Sequence, residues 1–327
     1  MKHKVLRLSL SIILSLAGLY IAFRGIEWSN FLRELRSVDL LWYTGGMLGM
    51  IVVLFIRAAR WRIFLLPMGK FPVYKLYKGT IAGFFTNYVL PFRMGEVVRA
   101  YVTGKFLDKK GTLLFPSIII ERFTDGVTFF FFVVVFSVFV ELPLTDEQLL
   151  LVRILLIALL AVFAVTIFVY YRLRHRISVF LDKKKGRVAN FFEDLHHGML
   201  ALFNIRHPFR ILFYSFFLWF VTGLTYWAGI RALHLDLGFI EGFILMVTAM
   251  IAIAIPAAPG FVGTFHAAMV YALILLGIDK STAASYAFLQ HLIGLIPICT
   301  IGFFHFMEAH VRIKDLQKMP VSGEKGE

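Results

Sequence analysis

The stretch "GFFTNYVLPFRMGEVVRA", residues 83–100, decides how the whole chain is read. It begins apolar, carries Asn87 inside the apolar part, breaks at Pro91, and turns at once to Arg93, Glu96 and Arg99. Counting back to Gly79, about a dozen uncharged residues precede the break. As a helix they cover roughly 18 Å, against a hydrocarbon core of about 30 Å. Such a segment enters a membrane without crossing it. Its flanks are basic on both sides. Arg57, Arg60, Arg62, Lys70, Lys75 and Lys78 precede it, and Arg93, Arg99, Lys105, Lys109 and Lys110 follow. By the positive-inside rule both flanks are cytoplasmic, so residues 79–92 are expected to be re-entrant.

Composition supports a membrane setting. The chain has 327 residues, 59% hydrophobic, with a mean hydropathy of +0.79. A soluble domain is about half apolar and richer in charge. The pattern reads as an all-α polytopic membrane protein; a β-barrel would show short alternating segments. The net charge of +14 fits the positive-inside bias and anionic lipid headgroups better than nucleic acid, which is not an expected partner. The single cysteine, Cys299, excludes an internal disulfide and a cysteine metal site. The opening "MKHKVLRLSLSIILSLAGLYIAF" has the basic and apolar parts of a signal peptide but no small-x-small cleavage site, so it reads as a retained first helix.

Spanning helices are expected at about 5–23, 40–57, 113–140, 149–171, 209–230 and 283–307, with a loop over 24–39. The loop 141–148 is acidic and reads as external. Residues 172–208 read as a basic cytoplasmic loop, in which Val188, Phe191, Phe192, Leu195, Met199 and Leu202 recur at the spacing of an interfacial amphipathic helix. A second broken segment, "MIAIAIPAAPGFVGTFHAAM" at 250–269, has short apolar arms at about 240–255 and 264–278. If both termini are cytoplasmic, this hairpin enters from the external side. The expected topology is about six crossings plus two opposed re-entrant hairpins, the arrangement of an inverted repeat. Residues 1–310 form one integral membrane domain in this reading and 311–327 a cytoplasmic tail.

Glu121, Arg122 and Asp125, in "ERFTDG", are the sharpest chemical feature. Glu121 and Asp125 are four apart and share a helix face. In a helix spanning 115–138 they lie one to two turns inside the membrane, where charge demands a partner or water. Arg57 and Arg60, or Arg93 and Arg99, are the expected partners. The plainer alternative starts the helix at about Gly126 and leaves these charges among headgroups. Arg93, Glu96 and Arg99 share one face if a helix follows Pro91; they form either a ligand-facing site with Asn87 or a solvated juxtamembrane helix with internal ion pairs. The run "RAARWR" at 57–62 is either an interfacial anchor or a phosphate-docking site, for which arginine is suited. In the second break, Pro256 and Pro259 free backbone carbonyls, while Gly260 and Gly263 allow close approach. His266 and His291 sit in apolar surroundings, as satisfied core residues or as a pH-linked pair.

Walker loops, HExxH and GxSxG elbows are all missing from the sequence, so neither an enzyme nor a cofactor or metal is expected. In order, "RAARW", "GFFTNYVLPFRMGEVVR", "ERFTD" and "PAAPGFVG" resemble the flippase-like membrane domain of lysylphosphatidylglycerol synthases, over nearly all of the chain to about residue 310. The resemblance implies a helical fold with re-entrant helices and a lipid substrate. In the full synthases a soluble aminoacyl-transferase domain follows; here the chain ends instead, so aminoacylation does not carry over. Family members often have a glycine pair where this chain has Gly260-Phe261. They commonly carry Glu at the position of His266 and Arg near His291, which implies a swapped pair here. The expected function is lipid translocation in a cytoplasmic (inner) membrane, with Arg57, Arg60, Arg93 and Arg99 holding phosphate. Glu96, Glu121 and Asp125 would pair with them or take a cationic headgroup or a proton. The alternative is a non-transporting partner that presents lipid to a separate synthase or glycosyltransferase.

Overall fold

A computed structural model describes residues 2–90, 94–139, 146–182, 207–255 and 258–310, together with positions 186, 190, 192, 193 and 196. Every regular element among them is helical. In chain order these are α1 (Lys2–Phe23), α2 (Trp28–Arg36), α3 (Leu40–Leu65), α4 (Val73–Val89), α5 (Gly95–Leu107), α6 (Gly111–Phe139), α7 (Asp146–Asp182), α8 (Pro208–Ala232), α9 (Phe239–Ala254), α10 (Thr264–Leu275) and α11 (Lys280–Glu308). Two 3₁₀ turns, Leu66–Met68 and Pro259–Phe261, punctuate them. Among the described residues three segments, Leu40–Met68, Pro208–Ala232 and Lys280–Glu308, are long and apolar enough to cross a membrane. The α1–α2 pair makes a fourth if its 88° bend is counted within one span.

Several boundaries differ from the sequence expectation, each for a physical reason. Residues 24–39 are not all loop: α2 occupies Trp28–Arg36 and buries Phe31, while the Glu27 backbone N–H before it donates to Ser281 Oγ at 2.9 Å. Helix α3 does not stop at Arg57 but runs on to Leu65, because the guanidinium groups of Arg57 and Arg60 are neutralised from a neighbouring helix. Trp61 is therefore wholly buried rather than an interfacial anchor. The helix expected to start at Gly79 begins at Val73, giving α4 17 residues, or about 25 Å, shorter than a hydrocarbon core of about 30 Å. Helix α6 starts at Gly111 and passes through Pro116 and Glu121, which excludes a start at Gly126. The basic residues Arg172, Arg174 and Arg176 continue α7 instead of ending it. The expected amphipathic helix at 188–202 and the tail at 311–327 fall, apart from a few positions, outside the described residues.

Two hairpins of short helices organise the interior. In the first, α4 and α5 run antiparallel with their backbones nearly touching. A Cβ built on Gly83 would lie 2.6 Å from the Gly95 carbonyl oxygen, and one on Gly79 would strike the Thr103 side chain. Asn87 Oδ1 accepts the Gly95 N–H at 2.8 Å and closes the turn. In the second, α9 and α10 flank the break at 255–263. Gly260 and Gly263 adopt positive φ there, 73° and 94°, a conformation open to glycine without strain. Helix α1 seats this break: Ser15 Oγ accepts the Ala258 N–H at 2.8 Å, and a Cβ on Gly18 would lie 2.5 Å from the Gly263 carbonyl carbon. One apolar core, including Trp61, Phe64, Leu76 and Ile81, surrounds the first hairpin. Another, including Phe243, Met246, Met269 and Tyr286, surrounds the second. The tips meet where the Tyr88 ring of α4 packs edge-on against Phe261, centroids 6.1 Å apart.

Candidate functional site

Helical spacing places Arg57 and Arg60 on one face of α3, and Glu121 and Asp125 on one face of α6. The packing of α3, α5 and α6 brings these faces together with Arg99. Arg99 grips Glu121 through two bonds, Nη1 to Oε1 at 2.8 Å and Nη2 to Oε2 at 2.9 Å. Arg57 Nη1 bridges Glu121 Oε1 at 3.2 Å and Asp125 Oδ2 at 2.6 Å. Arg60 Nη2 donates to Asp125 Oδ1 at 2.6 Å, and its Nη1 to Ser215 Oγ of α8 at 2.9 Å. Arg122 lies 3.2 Å from Glu121 Oε1 and 3.4 Å from Asp125 Oδ2. Four arginines thus converge on two carboxylates.

Aromatic faces position the cationic groups. The Arg99 guanidinium lies over the Trp61 ring at 4.0 Å, held there by the Trp61 Nε1–H donating to Ser117 Oγ at 2.8 Å. The Phe84 ring of α4 carries both Arg57, at 5.4 Å, and Arg122, at 6.0 Å. Cation–π contact strengthens on desolvation, and this cluster is desolvated: Arg60 and Glu121 are wholly buried, and Arg57, Arg99 and Asp125 are 6% exposed or less. Only the Arg122 side chain, 38% exposed, opens the cluster to its surroundings. Removing one member of such a buried network leaves a charge uncompensated, at about 3–5 kcal/mol.

The other expected site residues fall in four places. Glu96 is half-buried in the first turn of α5, where the helix dipole favours an acid. Asn87 is committed to the hairpin turn. Arg93, with Pro91, and Pro256 lie outside the described residues. The residues of the second break, Pro259, Gly260, Gly263, His266 and His291, form a separate group. His266 and His291 are buried with ring centroids 4.8 Å apart, and Phe265 packs on both. His266 Nδ1 accepts the Gly263 N–H at 3.4 Å. Tyr88, whose ring lies 6.0 Å from His291, links this group to the first hairpin. Among the described residues no three His, Cys, Asp or Glu side chains converge as a metal site would require.

Sequence reasoning missed Ser215, Ser117, Phe84 and Tyr88. Ser215 is 155 positions from Arg60 and carries no local signal. Phe84 and Tyr88 are four apart within the apolar run and share an α4 face with Asn87's neighbours, a signal that 36 phenylalanines in the chain obscure.

The sequence is similar to known membrane proteins. A family model described as the lysylphosphatidylglycerol synthase TM region matches residues 8–302. The UPF0104 membrane protein MJ1078 of Methanocaldococcus jannaschii is 25% identical over 230 residues, covering 69% of this chain and 96% of that protein. The UPF0104 membrane protein MJ1595 of the same organism is 21% identical over 327 residues, covering 93% and 95%. No solved structure matches.

Proposed function

We propose that this chain, which belongs to the lysylphosphatidylglycerol synthase TM-region family and is a multi-pass membrane protein, is a flippase-like lipid translocase. The observation that carries the reading is the buried cluster of Arg57, Arg60, Arg99 and Arg122 around Glu121 and Asp125, roofed by the first hairpin. Charge inside an apolar helical body is expensive and is retained where it meets a ligand or a pathway. Arginine forks suit a phosphate. In this reading the headgroup binds at the cluster, and the acyl chains stay in the surrounding lipid. The meeting of the hairpin tips at Tyr88 and Phe261 supports a gate between the two faces.

The topology that accompanies this function has about six crossings and two hairpins entering from opposite faces, both termini cytoplasmic, in the inner membrane. The short lengths of α4, α5, α9 and α10 support it. With no ATP-binding motif in the sequence, a gradient or downhill lipid flow drives movement. The test is reconstitution into vesicles with fluorescent lipids of several headgroups. Movement above empty vesicles is expected for at least one phosphate-bearing lipid. No movement for any headgroup would overturn the reading. If the inert protein also co-purified with a lipid-modifying enzyme, a lipid-presenting role would replace it.

A further inference from the structure

We infer that the buried cluster takes a phosphate monoester carrying about two negative charges, in preference to the singly charged phosphodiester of common phospholipids. This inference rests on the headgroup-binding reading above and names the chemical class of its ligand.

Charge counting leads to it. Four guanidinium groups contact two carboxylates, leaving two positive charges in excess. The carboxylate oxygens are already occupied: Glu121 Oε1 receives Arg57, Arg99 and Arg122, and Glu121 Oε2 a second bond from Arg99. Asp125 Oδ1 and Oδ2 receive Arg60 and Arg57. Yet the Nε–H of all four arginines is buried without a hydrogen-bond partner among the described residues. Unpartnered buried donors bear a full desolvation penalty, and like charges repel strongly where the dielectric is low. An anion of about two charges with several acceptor oxygens removes both penalties. A phosphate monoester carries about −1.5 to −2 near neutral pH and offers three strong acceptors. A phosphodiester brings one charge, and a zwitterionic headgroup none. Arg122 is the one partly exposed member of the cluster, and the Phe84 ring carries Arg122 and Arg57 together, so an anion reaching the cluster would meet Arg122 first.

The experiment measures ligand-induced thermal stabilisation of the full-length detergent-purified protein with phosphatidic acid, phosphatidylglycerol, phosphatidylcholine or inorganic phosphate, at pH 8 and pH 6. Phosphatidic acid is expected to bind about tenfold tighter than phosphatidylglycerol at pH 8, the added charge acting within a low-dielectric site. The preference should shrink at pH 6, where a monoester with a second pKa of about 6 loses half of its second charge. Arg122→Gln lowers the excess to one charge and should bring the two lipids close together; the wild-type pH comparison decides the matter even if that variant folds poorly. Phosphatidylglycerol binding as tightly as phosphatidic acid at pH 8, both above phosphatidylcholine, would overturn the monoester inference and leave headgroup binding intact. No lipid exceeding phosphatidylcholine would overturn both. Inorganic phosphate displacing phosphatidic acid at matched concentration would support the dianion class and assign the ligand to free phosphate.

Discussion

Arg99 of α5 and Glu121 of α6 face each other through two parallel hydrogen bonds, 2.8 and 2.9 Å long, beneath the Trp61 ring. This pair ties the first hairpin to the helix that carries the acids. Both side chains are buried, so the pair is a poor source of net stability but a strong constraint on geometry.

Glu121→Gln should lower thermal stability by about 3–5 kcal/mol, because Arg57, Arg99 and Arg122 lose the negative charge they share and one carboxylate oxygen becomes an amide donor facing guanidinium groups. The Arg99→Gln/Glu121→Gln double variant should recover part of that loss, since one uncompensated charge leaves with the acid. Thermal unfolding of the purified proteins in detergent checks this. A double variant less stable than the Glu121→Gln single would show that the two residues act independently.

The hairpin depends on backbone contact at Gly95. A Cβ there would lie 2.3 Å from the Gly83 carbonyl oxygen and 2.4 Å from Asn87 Oδ1. Gly95→Val should therefore destabilise the protein by about 1–3 kcal/mol. Gly45→Ala on α3, with nothing within 4 Å of the new Cβ, should be neutral or slightly stabilising through helix propensity. Melting temperatures of the two variants provide the comparison.

At the second break, Gly263 and Gly260 should respond differently to alanine. Both have positive φ, but a Cβ on Gly263 would lie 2.0 Å from the Ser15 carbonyl oxygen, whereas one on Gly260 has its nearest neighbour, Tyr88 Cδ1, at 3.4 Å. Gly260→Ala should cost about 1–2 kcal/mol of local strain. Gly263→Ala should also unseat α1 and lower expression in the membrane. Protease accessibility of the α1–α10 contact, measured on both variants, separates the effects.

If the hairpin tips form a gate, holding them together should stop transport. Tyr88→Cys/Phe261→Cys on a Cys299→Ser background, bridged by a short cleavable bis-thiol reagent, should lose lipid movement and regain it on cleavage. Unchanged movement in the bridged protein would mean that Tyr88 and Phe261 do not part during transport.

Much of the fold was legible because apolar runs and their charged ends follow bilayer dimensions. The arms of the second hairpin, expected at 240–255 and 264–278, match Phe239–Ala254 and Thr264–Leu275 closely. Where expectation failed, charge was taken as a helix end: Arg57, Lys75 and Arg172 all continue helices. Arg57 does so because Asp125 neutralises it across 68 positions, which no local window shows. Helix α2 escaped although Trp28, Phe31, Leu32 and Leu35 recur at helical spacing, because nine residues between two long apolar runs read as a connecting loop. Arg57, Arg60, Glu121 and Asp125 could be picked out as charges at helical spacing beside apolar runs. Ser215, which orients Arg60 from α8, could not, since a lone serine in an apolar helix looks like any other small residue.

In the proposed function lipid passes at the charged cluster. The most direct measurement is movement of a fluorescent phosphate-bearing lipid in vesicles holding the wild-type protein or the Arg99→Gln/Glu121→Gln variant, at matched protein content. Movement above empty vesicles with the wild type and none with the folded variant is predicted. Equal movement by the two proteins would contradict the account.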